Sequence, residues 1–227
     1  MLIGNANYDG PADLPRDIPL FPLSGALLLP RCLLPLVVFE PRYIAMVDAA
    51  LSGNRLIGII QPSLDSGETV DDGGTPLQRI GAVGRITSWS ETGDGRYQIV
   101  LSGIARFVLE EEVTTGTPYR VGRVRADFPI DFEVRAGEAA VNRDELIAVF
   151  GAYLNANDLE TDWDSIDKAS TESLVNALSM MSPFGPREKQ ALLEAADLKT
   201  RAETLVAMTE MELVRNAAGD DDSPVLN

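Results

Sequence analysis

Histidine is missing from the 227-residue chain, cysteine occurs once, and lysine stands only at positions 168, 189 and 199. Without an imidazole there is no Ser-His-Asp or Cys-His nucleophile system and no HExxH zinc site. With Cys32 alone there is no internal disulfide, no CxxC and no thiolate-held zinc or iron–sulfur cluster. Glycine is never followed by lysine and no GxGxxG occurs, so neither the phosphate loop of an NTPase nor a dinucleotide fingerprint is present. A Ser–Lys dyad would need one of three lysines that all lie in helix-patterned sequence, where a surface or packing role suffices. The longest apolar stretch, residues 25–39, is interrupted by Pro30, Arg31 and Pro35. A spanning helix wants about 20 apolar residues in a row, so this stretch reads as core-forming chain. The first residues have neither a basic start nor an apolar run of signal length, which with the single cysteine points to a reducing cytoplasmic setting.

What is abundant is acid. Nineteen basic residues face 35 acidic ones, a net charge of −16, which argues against binding a phosphate backbone and favours partners carrying basic residues. Apolar residues make up 45%, enough for a sizeable core. Residues 1–127 carry a net of −4 and residues 128–227 a net of −12, and the texture changes at the same place. The expected organisation is an extension over 1–15, a β-rich part over 16–128, a helical part over 129–217 and an acidic tail over 218–227.

In the β-rich part, residues 56–60, 81–89, 96–101, 104–113 and 119–128 are rich in Val, Ile, Tyr and Phe and bounded by turn residues. So many short strands favour a closed or nearly closed barrel over an open sheet. Thr92-Gly-Asp-Gly95 reads as a hairpin turn and Gly103 as a bulge or sharp bend. Residues 63–79 form a polar, glycine-rich loop. Glu110, Glu111 and Glu112 read as a charged edge that discourages strand pairing.

One helix interrupts the strands, with Tyr43, Met46, Val47, Ala50 and Leu51 on a single stripe, Pro41 in its first turn and Gly53 as its stop. Four more follow. The first carries Leu146, Val149, Phe150, Tyr153 and Leu154 behind an Asn142/Glu145 cap, and the second carries Leu174, Ala177, Leu178 and Met181 ahead of Pro183. The last two open at Pro186 and, by the capping-box spacing of Thr200 and Glu203, near residue 200. These stripes are core faces. The acidic run 157–164 fails as a calcium loop, because Trp163 and Ala169 stand where glycine and a bidentate glutamate are required, and reads as a solvated linker.

The distinctive segment is 18–51. Pro19, Pro22, Pro30 and Pro35 forbid a helix there, Phe21 and Phe39 supply apolar mass, and Phe39-Glu40-Pro41-Arg42-Tyr43 turns extended chain into helix. Its Pro-Leu-Phe-Pro-Leu start, Leu-Pro-Leu middle and FEPRY end resemble the opening of the Lon protease N-terminal, substrate-binding domain. Further matching stretches are Val83-Gly84, Asp94-Gly-Arg-Tyr97, Gly103-Ile-Ala-Arg106-Phe107, Lys189-Gln-Ala-Leu-Leu193 and Leu198 with Arg201, so the resemblance covers residues 16–215. It implies an α+β fold, a PUA-like β pseudobarrel with one inserted helix followed by an α-helical bundle. It also implies a non-catalytic module that binds unfolded or tagged protein segments, an adaptor or accessory factor in protein quality control working with a protease. The chain ends where that domain ends, so a stand-alone domain is expected, with no cofactor and no metal.

Within the motif, Glu40, Arg42 and Arg106 fit two roles: lining a peptide-binding face, or forming an internal ion-pair group that pins the helix to the barrel. Engagement of a partner through an apolar groove or by strand addition to a barrel edge is the leading function. A hydrolase using carboxylates alone, and a structural protein that associates into homo-oligomers, remain alternatives. PUA-like barrels can bind RNA, but the charge speaks against nucleic acid here.

Overall fold

The structure, a computed structural model, describes residues 1–63 and 74–219. A short hairpin, β1 (Leu2–Ile3) and β2 (Ala6–Asn7), precedes β3 (Asp17–Pro22), β4 (Leu33–Val38) and α1 (Pro41–Ser52). Then come β5 (Leu56–Ile60), β6 (Ile80–Glu91), β7 (Tyr97–Val113) and β8 (Arg120–Arg125). The helical half holds α2 (Arg143–Ala156), α3 (Trp163–Lys168), α4 (Thr171–Met181), α5 (Pro186–Glu194) and α6 (Leu198–Gly219). The class is α+β, as the sequence implied.

Strands β7, β6, β5, β3 and β8 pair in that order, and β8 pairs again with β7, so the five close into a ring. Among the described strands only β3 and β5 run parallel. Closure explains why all five residues of β5, Leu-Ile-Gly-Ile-Ile, are buried: the strand has the barrel interior on one side and α1 with its neighbours on the other. β7 is 17 residues long and continuous where two strands were expected. The expected irregularity at Gly103 is present as a bulge. Val83 faces Ala105 while Gly84 faces Gly103, which leaves Ile104 as the extra residue. A Cβ on Gly103 would lie 2.1 Å from the carbonyl oxygen of Leu29, so glycine alone lets the 27–30 segment pass.

β4 lies outside the ring, paired with the first half of β7. Leu33, Pro35 and Val37 point outward and are exposed, and Pro35 blunts the free edge by removing a donor. Glu110, Glu111 and Glu112 do not mark an edge. β7 pairs with β8 through this stretch, and the three carboxylates bond Arg125, Arg123 and Arg120 across the strands. Glu111 directly faces Arg123, while Glu110 and Glu112 reach Arg125 and Arg120 diagonally, so opposite charges accompany the pairing.

Two apolar clusters share the interior. Ile18, Leu20, Ile60, Val83, Ile104 and Phe107 fill the barrel, and Ile3 and Tyr8 of the N-terminal hairpin close over it. Outside the ring, Leu27, Leu28 and Leu29 join α1 through Met46 and Val47 to the helical half through Leu146, Val175, Leu192 and Leu205. The helix starts follow local chemistry. Asn142 accepts from the Glu145 amide, and prolines open α1 and α5. α6 differs from expectation: Asp197, not Thr200, is its cap, accepting the Thr200 amide at 2.8 Å three residues later. The run 157–164 is no plain linker either, because Asp162 caps α3 by accepting the Ser165 amide. Of the expected 63–79 loop, residues 64–73 lie outside the described residues, as does the tail beyond 219.

Candidate functional site

Two kinds of site-like geometry exist: a buried ionic joint between barrel and helices, and open cavities on the helical half. In the joint, Arg106 of β7 is 1% exposed. Its Nε and Nη2 donate to the two Asp131 oxygens, each at 2.9 Å, and its Nη1 donates to the carbonyls of Leu193 (3.1 Å) and Ala195 (2.5 Å) at the end of α5. The Asp131 carboxylate also accepts the Arg106 amide. The Phe128 ring lies 4.2 Å from the guanidinium. Arg201 of α6 takes the Leu192 carbonyl through Nε and Asn176 Oδ1 through Nη1. Burial, followed by the nearby Arg106 charge, holds the Arg201 pKa down to about 10. Helix carbonyls otherwise left open thus end on arginines from another strand and helix.

Arg31 extends this joint, bonding Glu172 through Nε and Nη2 and the Asp131 carbonyl through Nη1 at 2.6 Å. Lys189 of α5 donates to the Ser179 and Met180 carbonyls and so closes the end of α4. Burial lowers its pKa to about 8. Burial also raises the Cys32 thiol to about 11, which makes it a poor nucleophile. Among the described residues no group of three or more His, Cys, Asp or Glu is placed to hold a metal ion, and no helix is long and apolar enough to cross a membrane.

The open cavities differ in character. A depression of about 510 Å³ is lined by Arg16, Glu110 and Arg125 together with Pro11, Leu14 and Phe107. Between α2, α3 and α4 lies a cavity of about 450 Å³ lined by Phe150, Tyr153, Trp163, Ile166, Leu178 and Met181 among others. Among its described lining residues the one charged side chain is Glu160. Trp163 and Leu159 stay exposed at its mouth, and Met181 is 80% exposed. A second cavity of about 300 Å³ separates Pro30–Leu33 from α4 and shares Met181 with the first. Its mostly apolar lining, rather than its size, makes the α2–α4 cavity the better ligand seat.

The sequence model of the ATP-dependent protease La (LON) substrate-binding domain matches residues 17–210. The chain belongs to this family. Lon protease of Desulfosudis oleivorans is 27% identical over 213 residues, covering 91% of this chain and 25% of that protein. The chain thus spans about a quarter of the length of the curated relatives it matches. Among solved structures, the N-terminal domain of Mycobacterium avium complex Lon protease superposes with a TM-score of 0.64 at 17% identity, over 86% of this chain and 98% of that one. A Lon N-terminal domain protein from Xanthomonas campestris gives 0.59 at 21%, over 84% and 97%. These two show the fold.

In this Lon-family domain the motif residues fall into separate places. Phe21 and Tyr43 are buried with ring centroids 4.3 Å apart, holding α1 on β3. Pro19 and Pro22 are half-buried in β3. Phe107 fills the barrel against Gly58 and Gly81, where a Cβ would come within 3.0 and 2.5 Å of its ring. Pro35, Phe39 and Pro41 are exposed on the outer side of β4 and the start of α1. Glu40, Arg42 and Arg106 do not form one group. Arg42 bonds Glu40 at 2.5 Å near the surface, whereas Arg106 belongs to the joint with Asp131. Asp131 and Glu172 went unmarked in the sequence, Trp163 was weighed there only as a misfit in a calcium loop, and Met181, expected on a core stripe, is exposed because it lies at the end of α4. For Asp131 the available signal was an acid inside the apolar run Phe128-Pro-Ile-Asp-Phe132.

Proposed function

We propose that this domain is a polypeptide-recognition module that holds exposed apolar segments of other proteins in the α2–α4 cavity and performs no bond cleavage of its own. The observation that carries the reading is the cavity itself, about 450 Å³, apolar, and open through Leu159, Trp163 and Met181. Membership of a family described as a substrate-binding domain supports it. The two adjoining methionines, Met180 and Met181, suit a surface that accepts varied side chains, since the thioether chain adapts its shape at little cost. An adaptor or accessory role in cytoplasmic protein quality control, alongside a separate protease, follows from the same reading. The test is a titration of the full chain with reduced, carboxymethylated ribonuclease A, an unfolded chain without tryptophan, in a Trp89→Phe background, so that Trp163 alone reports. Saturable change in its emission, abolished by Met181→Asp, is expected. An unchanged spectrum overturns the proposal, as does a peptide-cleaving activity that purifies with the chain.

A further inference from the structure

The carboxylates of this molecule are not equally engaged. On the barrel, Asp17, Glu110, Glu111, Glu112 and Asp127 each face an arginine within ion-pair distance. Beside the α2–α4 cavity the situation reverses. Asp158, Glu160 and Asp164 stand exposed on the loop and first turn that frame Leu159 and Trp163, and none is ion-paired among the described residues. Asp162 between them is occupied in capping α3. The cations nearby do not answer this charge: Arg143 spends its guanidinium on the Ile166 carbonyl (2.7 Å) and the Thr171 hydroxyl (3.3 Å), and Lys168 sits at the far end of α3.

An apolar seat is therefore bordered on one side by three uncompensated negative charges. We propose that the cavity selects apolar segments flanked by lysine or arginine and discriminates against the same segments flanked by acid. The inference rests on the cavity being the binding seat and adds the chemical class of what it takes. Apolar side chains supply the burial, and the flank meets Asp158, Glu160 and Asp164 at the α3 side. Because the carboxylates are exposed, their attraction is screened by salt within about 8–10 Å, which gives the selectivity an ionic-strength signature that apolar burial lacks.

Three 14-residue peptides with one shared Leu-Phe-Leu-Ile-Leu centre, flanked by lysines, by serines or by glutamates, test it with the Trp89→Phe full chain and Trp163 emission as readout. At low salt the lysine peptide is expected to bind at least tenfold more tightly than the glutamate peptide, with serine between, and the ratio to shrink toward one at 0.5 M sodium chloride. Asp158→Asn, Glu160→Gln and Asp164→Asn together should erase the ratio and leave the serine peptide unchanged. These residues are exposed and cap nothing, so the variant folds. Equal affinity of the three peptides overturns the selectivity while the binding seat stands. Failure of all three to bind overturns both.

Discussion

Replacing Arg106 with alanine removes the cation on which the two halves of the molecule converge. The side chain is 1% exposed and supplies four side-chain hydrogen bonds, two to Asp131 and two to carbonyls ending α5. Truncation leaves the Asp131 carboxylate, 5% exposed, without its counter-charge and leaves two helix-end carbonyls without donors. Breaking one partner of a buried pair costs about 3–5 kcal/mol, largely the penalty of the orphaned charge. In a domain of this size about 1 kcal/mol shifts the thermal midpoint by about 2–4 °C, so a fall of roughly 10 °C is expected. Urea unfolding followed by circular dichroism measures the loss directly. Arg106→Met, Asp131→Leu and the variant carrying both complete a cycle. The double variant should be less destabilised than the sum of the singles, because no unpaired ion remains. A single-variant loss below about 1 kcal/mol, or strictly additive effects, refutes the account of the joint.

Exposed ion pairs should behave differently: Arg123→Ala, which loses Asp17 and Glu111 at the barrel surface, is expected to leave the urea midpoint essentially unmoved. Gly103→Ala places a Cβ 2.1 Å from the Leu29 oxygen, so the chain should lose its cooperative urea transition or shift it by several kcal/mol, whereas Gly116→Ala, with open space around it, should not. Stability should rise with pH between about 8 and 9, read as the thermal midpoint. Lys189 is lowered to about 8 in the fold from an ordinary 10.5, so over this window the unfolded chain binds the extra proton and raising pH favours the fold. Above 9 the gain is opposed, since the Cys32 thiol, raised to about 11, holds its proton in the fold where the unfolded chain gives it up. Lys189→Met should remove the rise.

Elements with strong local periodicity were legible before the fold was known. α1 from Pro41 and β5 over Leu56–Ile60 follow from proline placement and a Val/Ile-type run, and the Gly103 bulge from a glycine between strand patterns. What local reasoning lost depends on partners distant in the chain. Glu110, Glu111 and Glu112 look like an edge until Arg120, Arg123 and Arg125 arrive opposite them. The Arg106–Asp131 pair joins a strand to a turn 25 residues on, and Arg31 meets Glu172 across 141 residues. The cavity was hidden for a related reason. Phe150, Leu174 and Leu178 read as core on their stripes, and only the assembled angle of α2, α3 and α4 leaves their outer flank uncovered beside Trp163.

Methyl-labelled methionine offers the most direct measurement. The chain has six methionines, and Met180 and Met181 end α4 whereas Met46 is sealed on the buried face of α1. Carbon–proton spectra recorded while an unfolded protein is added should show Met181 moving first and most, with Met180 following and Met46 fixed. Perturbation confined to other methionines, or none at saturating ligand, contradicts the placement of polypeptide binding in the α2–α4 cavity.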